Sequence, residues 1–219
     1  MSDQTATAPA TTDRGRRRRE AVLDAAAELF LDRGFHGTSV DDVGQAAGIS
    51  GPGLYRHFPS KDALLMAVLD RIWRRLKPAL DAAEGEAPAD ALRTLLDAQL
   101  DLAFDQPAAL VLLVRELRHL PDDYRDRAVR NHRRYLDGWA AALRASAPEL
   151  DRDTARSVAL AVHGLIDSTA LHQQVLPRGL SRARQRELVD RLARIVLTDA
   201  IDRDLRSTSG LSGTVEPDE

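Results

Sequence analysis

Apolar residues recur along this chain at three- and four-residue intervals, and no stretch alternates apolar with polar as a half-buried strand requires. The spacing predicts a helix over residues 21–33, with Val22, Ala26, Leu29 and Phe30 as its buried stripe. Two short helices follow, the first carrying Val40, Val43 and Ala47, the second Leu54 and Phe58. A longer amphipathic helix runs over 62–77, with Leu65, Val68, Leu69, Ile72, Trp73 and Leu76 inward, and Pro78 is expected to stop or kink it. Leu92, Leu95, Leu96, Gln99, Leu102 and Ala103 mark the next helix, to Phe104. Residues 108–120 are apolar almost without break at 110–114, as in a helix buried on more than one side. A helix from Asp122 or Asp123 to about Ala145 places Val129, His132, Leu136, Trp139 and Leu143 on one face. Residues 151–174 and 181–205 complete the set, the last with Leu188, Leu192, Ile195, Val196 and Leu205 as anchors. The fold class is therefore all-α: a three-helix head followed by a bundle of about six helices. The expected divisions are a disordered tail at 1–13, a head at 14–60, a larger unit at 61–206 and a second disordered tail at 207–219.

The stretch 38–61 is the most specific part of the chain. Ser39 with Asp42 three residues on has the spacing of a capping box. Gly48 supplies the left-handed turn that a branched residue resists. Ser50 stands as the next N-cap with Pro52 in the first turn, and Ser60 caps the helix that begins at Lys61. Two short helices joined by a tight glycine turn form a helix-turn-helix, whose second helix enters the DNA major groove. Its non-stripe positions are Ser50, Gly51, Pro52, Gly53 and Arg56, and Arg56 is the only long donor among them. Base reading then rests on thymine methyls and DNA shape. Arg16 and Arg17 belong to the run Arg14 to Arg19, read either as a solvated charge run opening a helix or as a basic arm on phosphates.

The residues Gly34-Phe35, Thr38-Ser39-Val40, Ala46-Ala47-Gly48-Ile49-Ser50, Leu54-Tyr55, His57-Phe58 and Ser60-Lys61 together resemble the N-terminal domain of the TetR family of repressors, over about residues 16–70. Gly44 departs from the pattern, where the family usually has Ala. The resemblance implies phosphate contacts from Thr38, Tyr55, His57 and Lys61. Tyr55 also reads as a half-buried core aromatic, and Lys61 as a plain surface lysine. It further implies a homodimer, double-stranded operator DNA as partner, and a small-molecule effector in the larger unit whose binding moves the connecting helix. The Glu-Leu-Arg-His-Leu-Pro run within 115–134 resembles relatives that respond to acyl-CoA thioesters.

Composition narrows the field. The formal net charge of -3 gives no bulk pull toward nucleic acid, so that evidence is local. Absence of cysteine removes disulfides, thiolate metal sites and thiol catalysis. No apolar run reaches the length of a membrane span, and the N-terminus has no apolar signal region, so a cytoplasmic protein is expected. One Glu-x-x-His, Glu116 to His119, is half of what a di-iron bundle repeats, and no phosphate loop, nucleophile elbow or His-Glu-x-x-His is present. No enzyme, cofactor or metal is therefore expected.

In the larger unit, polar residues on apolar faces are the informative ones. Gln99, His132 and Trp139 are expected to line one cavity, and Gln99 and His132 read equally as satisfied core groups. Arg115 and Glu116 interrupt an apolar helix, as ligand contacts or as pairs with other helices. His163 and Asp167, four apart, are expected to hydrogen-bond each other on a helix surface. Ala161, Gly164 and Ser168 form a small-residue stripe, and the last helix has apolar positions to spare, Leu192 and Val196 among them. These two helices are expected to form the dimer interface, although the small residues suit a neighbouring helix of the same subunit as well. The reading is a ligand-responsive DNA-binding regulator, with a small-molecule-binding protein carrying a vestigial head as the alternative.

Overall fold

The structure, a computed structural model, describes residues 13–172 and 179–209, with side chains to 202. Among these residues there are nine α-helices, a single 3-10 turn and no strand: α1 (Asp13–Arg33), α2 (Val40–Ala46), α3 (Gly51–Tyr55), α4 (Lys61–Ala83), α5 (Pro88–Asp105), α6 (Pro107–Glu116) with the 3-10 turn Leu117–His119, α7 (Asp122–Ser146), α8 (Arg152–His172) and α9 (Arg182–Ser209). Of the tails expected at 1–13 and 207–219, residues 1–12 and 210–219 lie outside the described residues, as does the Leu205 side chain, whereas Asp13 begins α1 and 207–209 continue α9.

The chain divides into two compact units at Val68/Leu69, inside α4 and not at its start. The first two turns of α4 belong to the head because Leu64, Leu65 and Val68 are buried there with Leu23, Ala26, Phe30, Val43, Leu54 and Phe58. Phe35 plugs this core edge-on to Phe30, 5.3 Å between ring centroids. Val22 and Leu23 are both buried and Leu29 only half so, which turns the α1 stripe slightly from its expected line. The helix also starts earlier than predicted. Arg14 to Arg19 lie inside it, so the basic run is helical, with Arg16 paired to Asp13 and Arg19 5.2 Å above the Phe58 ring.

Local chemistry fixes the short helices. Ser39 Oγ accepts from the Asp42 amide at 3.1 Å, and Asp42 accepts from the Ser39 amide at 2.8 Å, which closes the capping box. The Ser39 hydroxyl, which donates to the Asp42 carboxylate at 2.5 Å, and then the Ser39 amide hold that carboxyl below its ordinary range. Ser50 makes no side-chain cap bond, a correction to its reading as an N-cap. At the turn, Gly48 adopts φ of 64°, and the Ile49 amide returns to the Gly44 carbonyl at 2.8 Å.

The larger unit is a bundle in which α8 packs against α5, α6, α7 and α9. Its core runs through Leu95, Leu96, Leu100, Tyr135, Trp139, Leu143, Val162 and Ile166. Val129 and His132 are exposed, so the buried face of α7 passes instead through Tyr124, Tyr135, Leu136, Trp139 and Leu143. Pro78 neither stops nor ends α4. It is exposed, as is Arg74 one turn before it, so the carbonyl that loses its donor faces water. Where α4 and α7 cross, a Cβ on Gly138 would lie 2.2 Å from Leu80 Cδ1, and only glycine allows this approach.

A Cβ at Gly44 would lie 2.8 Å from the Ile49 carbonyl oxygen. Gly44→Ala gains about 1 kcal/mol of helix propensity but must push that backbone aside, for an expected net loss of roughly 1–2 kcal/mol in the head. Native-state hydrogen exchange should then show the α2–α3 amides opening about tenfold more often, with those of α7 and α8 unchanged.

Candidate functional site

The outer side of the helix-turn-helix presents Ser50, Pro52, Tyr55, Arg56 and His57, all exposed, with Gly51 partly so. Tyr55, at 48% exposure, is a surface aromatic and not a core one. Arg16 and Arg17 are exposed on α1. Three expected contacts are corrected. Thr38 is buried, and its hydroxyl donates toward the Gly34 and Leu29 carbonyls at 2.9 and 3.1 Å, so it locks the end of α1. Gly53 faces inward, where a Cβ would stand 3.2 Å from the Ile49 side chain. Ser39 commits its hydroxyl to the capping box. Lys61 is committed as well: its ammonium donates to the Thr38 carbonyl at 3.0 Å and the His36 carbonyl at 3.4 Å, and sits 4.6 Å above the Phe35 ring. It ties the start of α4 to the turn that precedes α2.

In the larger unit a cleft of about 60 Å³ opens between α4 and α7, walled by Leu69, Ile72, Trp73 and Leu76 on one side and Ala128, Asn131, His132 and Tyr135 on the other, with Leu113 from α6. Asp70, Tyr124 and Arg127 stand at one part of its wall. The Tyr124 hydroxyl donates to Asp70 at 3.2 Å, Arg127 donates to the same carboxylate at 3.2 Å, and its guanidinium lies 4.8 Å over the Tyr124 ring. Burial and the Asp70 charge push the Tyr124 phenol well up.

Of the expected ligand residues only His132 lines this cleft. Arg115 is exposed and Glu116 half-exposed at the end of α6, and neither reaches it. Gln99 and Trp139 lie one ring deeper. Trp139 is wholly buried, 5.1 Å between centroids from His163, and His163 lies 5.4 Å from Tyr135 and 6.3 Å from His132. The Gln99 amide donates to Asp167 at 2.7 Å. Asp167 therefore takes its bond from α5 and not from His163, which is buried at 3% exposure. Gln99 Oε1, Trp139 Nε1 and His163 Nε2 are buried without a hydrogen-bond partner. Burial, and then proximity to His132, lowers the His163 pKa to about 3, and burial raises that of Asp167 to about 6. Asp70, Tyr124, Arg127 and Asn131 escaped the sequence reading. Their one signal was their spacing along the polar side of α7 and α4.

On the far side of the bundle, α8 and α9 leave apolar groups in the open. Leu160 is 55% exposed and Ile195 58%, and Leu171, Leu192 and Val196 are exposed with them. Ala161 and Gly164 are exposed on the same helix as Leu160, and Ser168 is partly buried.

Two family models match the chain, bacterial regulatory proteins of the tetR family over residues 22–68 and the tetracyclin repressor-like C-terminal domain over 85–171. The chain belongs to the TetR family. RutR of Escherichia coli, an HTH-type transcriptional regulator, is 36% identical over 103 residues, 46% of this chain and 48% of RutR. The chain thus spans about half the length of the curated relatives it matches first. The TetR-family regulator PfmR from Thermus thermophilus superposes with a TM-score of 0.68 at 26% identity, over 81% of this chain and 97% of PfmR. AibR, solved with isovaleryl coenzyme A and operator DNA, shares the fold at a TM-score of 0.61 and 19% identity, over 79% of this chain and 96% of AibR. Both units of this TetR-family chain, described above from their own packing, therefore have counterparts in known members.

The pKa of Asp167 carries a stability prediction. Its folded value, about 6, lies above the ordinary 3.8. The fold favours the protonated form, so stability is full below about pH 4 and is lost as pH rises through 6. Asp167→Asn keeps an oxygen for the Gln99 amide and removes the charge, and should stabilise the protein by about 2 kcal/mol at pH 8 and about half that at pH 5. Urea midpoints at the two pH values check this. His163, held neutral, loses its contribution as pH falls below 6.5 in wild type and variant alike.

Proposed function

We propose that this chain is a DNA-binding transcriptional regulator, a homodimer released from a palindromic operator by a small molecule seated between α4 and α7. The observation that carries the reading is that α4 is one unbroken helix, buried in the head through Leu64, Leu65 and Val68 and lining the cleft through Leu69, Ile72, Trp73 and Leu76. At about 60 Å³ the cleft holds less than the several hundred Å³ a drug-sized ligand fills. A ligand must part α4 from α7, and a ligand that prefers the parted form shifts the population toward it.

Phosphate contacts come from Tyr55, Arg56, His57, Arg16 and Arg17, the exposed members of the set, and not from Lys61. The exposed apolar face of α8 and α9 supports a two-fold interface in which the same patch meets itself. Two recognition helices would then lie about one DNA turn, roughly 34 Å, or a multiple of it apart. A regulator working on chromosomal DNA acts in the cytoplasm.

A gel shift with the protein's own upstream DNA tests the central claim, and a protein that binds ligand but no DNA would leave the vestigial-head alternative. Gly164→Leu tests the dimer. A Cβ there meets nothing within the protomer, so the fold tolerates it, and only a partner helix is obstructed. Sedimentation should show monomers, and tight operator binding should fall at least about tenfold. Ala128→Val, which adds two methyl groups to a cleft of about 60 Å³, should fill it without parting the helices, leaving operator binding intact and weakening release by effector.

A further inference from the structure

Behind the cleft, the side chains of Asp167, Gln99, His163, Trp139 and Tyr135 form a polar group inside an otherwise apolar bundle. We propose that this group holds the ammonium head of a lipophilic amine whose apolar body lies in the α4–α7 cleft; the proposal rests on the cleft being the effector site.

The hydrogen-bonding inventory is rich in acceptors. Gln99 gives its N–H to Asp167 and leaves Oε1 buried with no donor. The Tyr135 hydroxyl donates to the Leu95 carbonyl at 3.2 Å, and its oxygen faces the Trp139 indole N–H. Neutral His163 has Nε2 unpartnered, and the tautomer with its proton on Nδ1 makes Nε2 an acceptor. Asp167 has no Lys or Arg within ion-pair distance among the described residues, and the Gln99 amide is its one hydrogen-bond donor there. The one donor beside these acceptors, the Trp139 indole N–H, has no partner at full hydrogen-bond geometry and is directed to the Tyr135 oxygen. An ammonium group has three donors and no acceptor, so it answers this surplus. A carboxylate or phosphate would face the half-buried Asp167 carboxyl and a single N–H, and would be repelled.

The walls suit a cation too. Tyr135, Trp139 and His163 present rings within 5.1–6.4 Å of one another, centroid to centroid, and aromatic faces attract a desolvated cation. Access is through the cleft itself, whose wall includes Tyr135 and His132, two of the three α7 rings that lie against His163. The carboxylate on the cleft wall, Asp70, is already paired with Arg127 and does not compete. The high proton affinity of Asp167 is the same property seen from another side: it is an acid whose cation is missing.

The test is titration calorimetry on the full-length protein with three probes of one chain length, hexylamine, hexanol and hexanoate. Hexylamine should bind at least about tenfold more tightly than hexanol, and hexanoate more weakly than both. Asp167→Asn, checked for folding by near-ultraviolet circular dichroism, should erase the preference for the amine and leave hexanol within about twofold. The proposal is overturned if hexanol or hexanoate binds as well as the amine, if Asp167→Asn keeps the amine preference, or if none of the three binds, in which case the buried acceptors serve only ordered water. Gel shifts with the same probes separate the two levels. Operator release by hexanoate would sink the ammonium site and spare the cleft. Failure of the unliganded protein to bind operator would sink the regulator reading while leaving the amine preference untouched.

Discussion

One helix has to satisfy two hydrophobic cores. The buried residues of α4 at 64, 65 and 68 complete the small core of the head, and those at 76 and 80 enter the core of the larger unit. A head of this size cannot bury enough surface on α1 and two short helices alone, and α3 has only five residues. The turns it borrows from α4 are therefore part of its fold. The Lys61 ammonium on the carbonyls of Thr38 and His36 fixes where that borrowed segment begins. In the proposed mechanism the same continuity is what carries a change at the cleft beside α4 to the head.

Charge is distributed in the larger unit according to its surroundings. The Arg75, Arg182 and Arg186 pairs with Asp101 and Asp105 run along the surface and link α4, α5 and α9. Each is solvent-exposed, and pairs of that kind contribute little singly. Where polar groups enter the interior, the protein keeps them neutral or nearly so: His163 loses its proton and Asp167 resists losing one. Such a group with unmet hydrogen bonds costs stability, and proteins tolerate that cost at sites that bind something.

The two outer helices show a similar trade. α9 buries Val189, Ala193 and Leu197 and leaves Leu192, Ile195 and Val196 open. A stripe on each side of one helix is more than a protomer needs, and the proposed two-fold interface uses that surplus.

By itself the sequence determined the helices, the order of the two units and the helix-turn-helix, because these rest on local signals: 3.6-residue periodicity, the Ser39–Asp42 box, and glycines at 34 and 48 that take φ of 78° and 64°. The surplus apolar positions of α9 and the small-residue stripe of α8 were legible for the same reason, and so were Pro52 and Arg56 on the open side of the second short helix, whereas Tyr55 and His57 came from the family resemblance. Only the tertiary structure decided which polar residues meet. Thr38 turned inward because two carbonyls of the α1 terminus needed a donor. Lys61 turned to carbonyls 23 and 25 residues away. Asp167 took its partner from Gln99, 68 residues distant, and not from His163 on the next turn. Periodicity gives the face of a helix on which a residue lies, but it carries no information about which helix covers that face. Sequence could therefore place Gln99, His132 and Trp139 on apolar stripes without showing that a buried histidine and carboxyl from α8 would close around them.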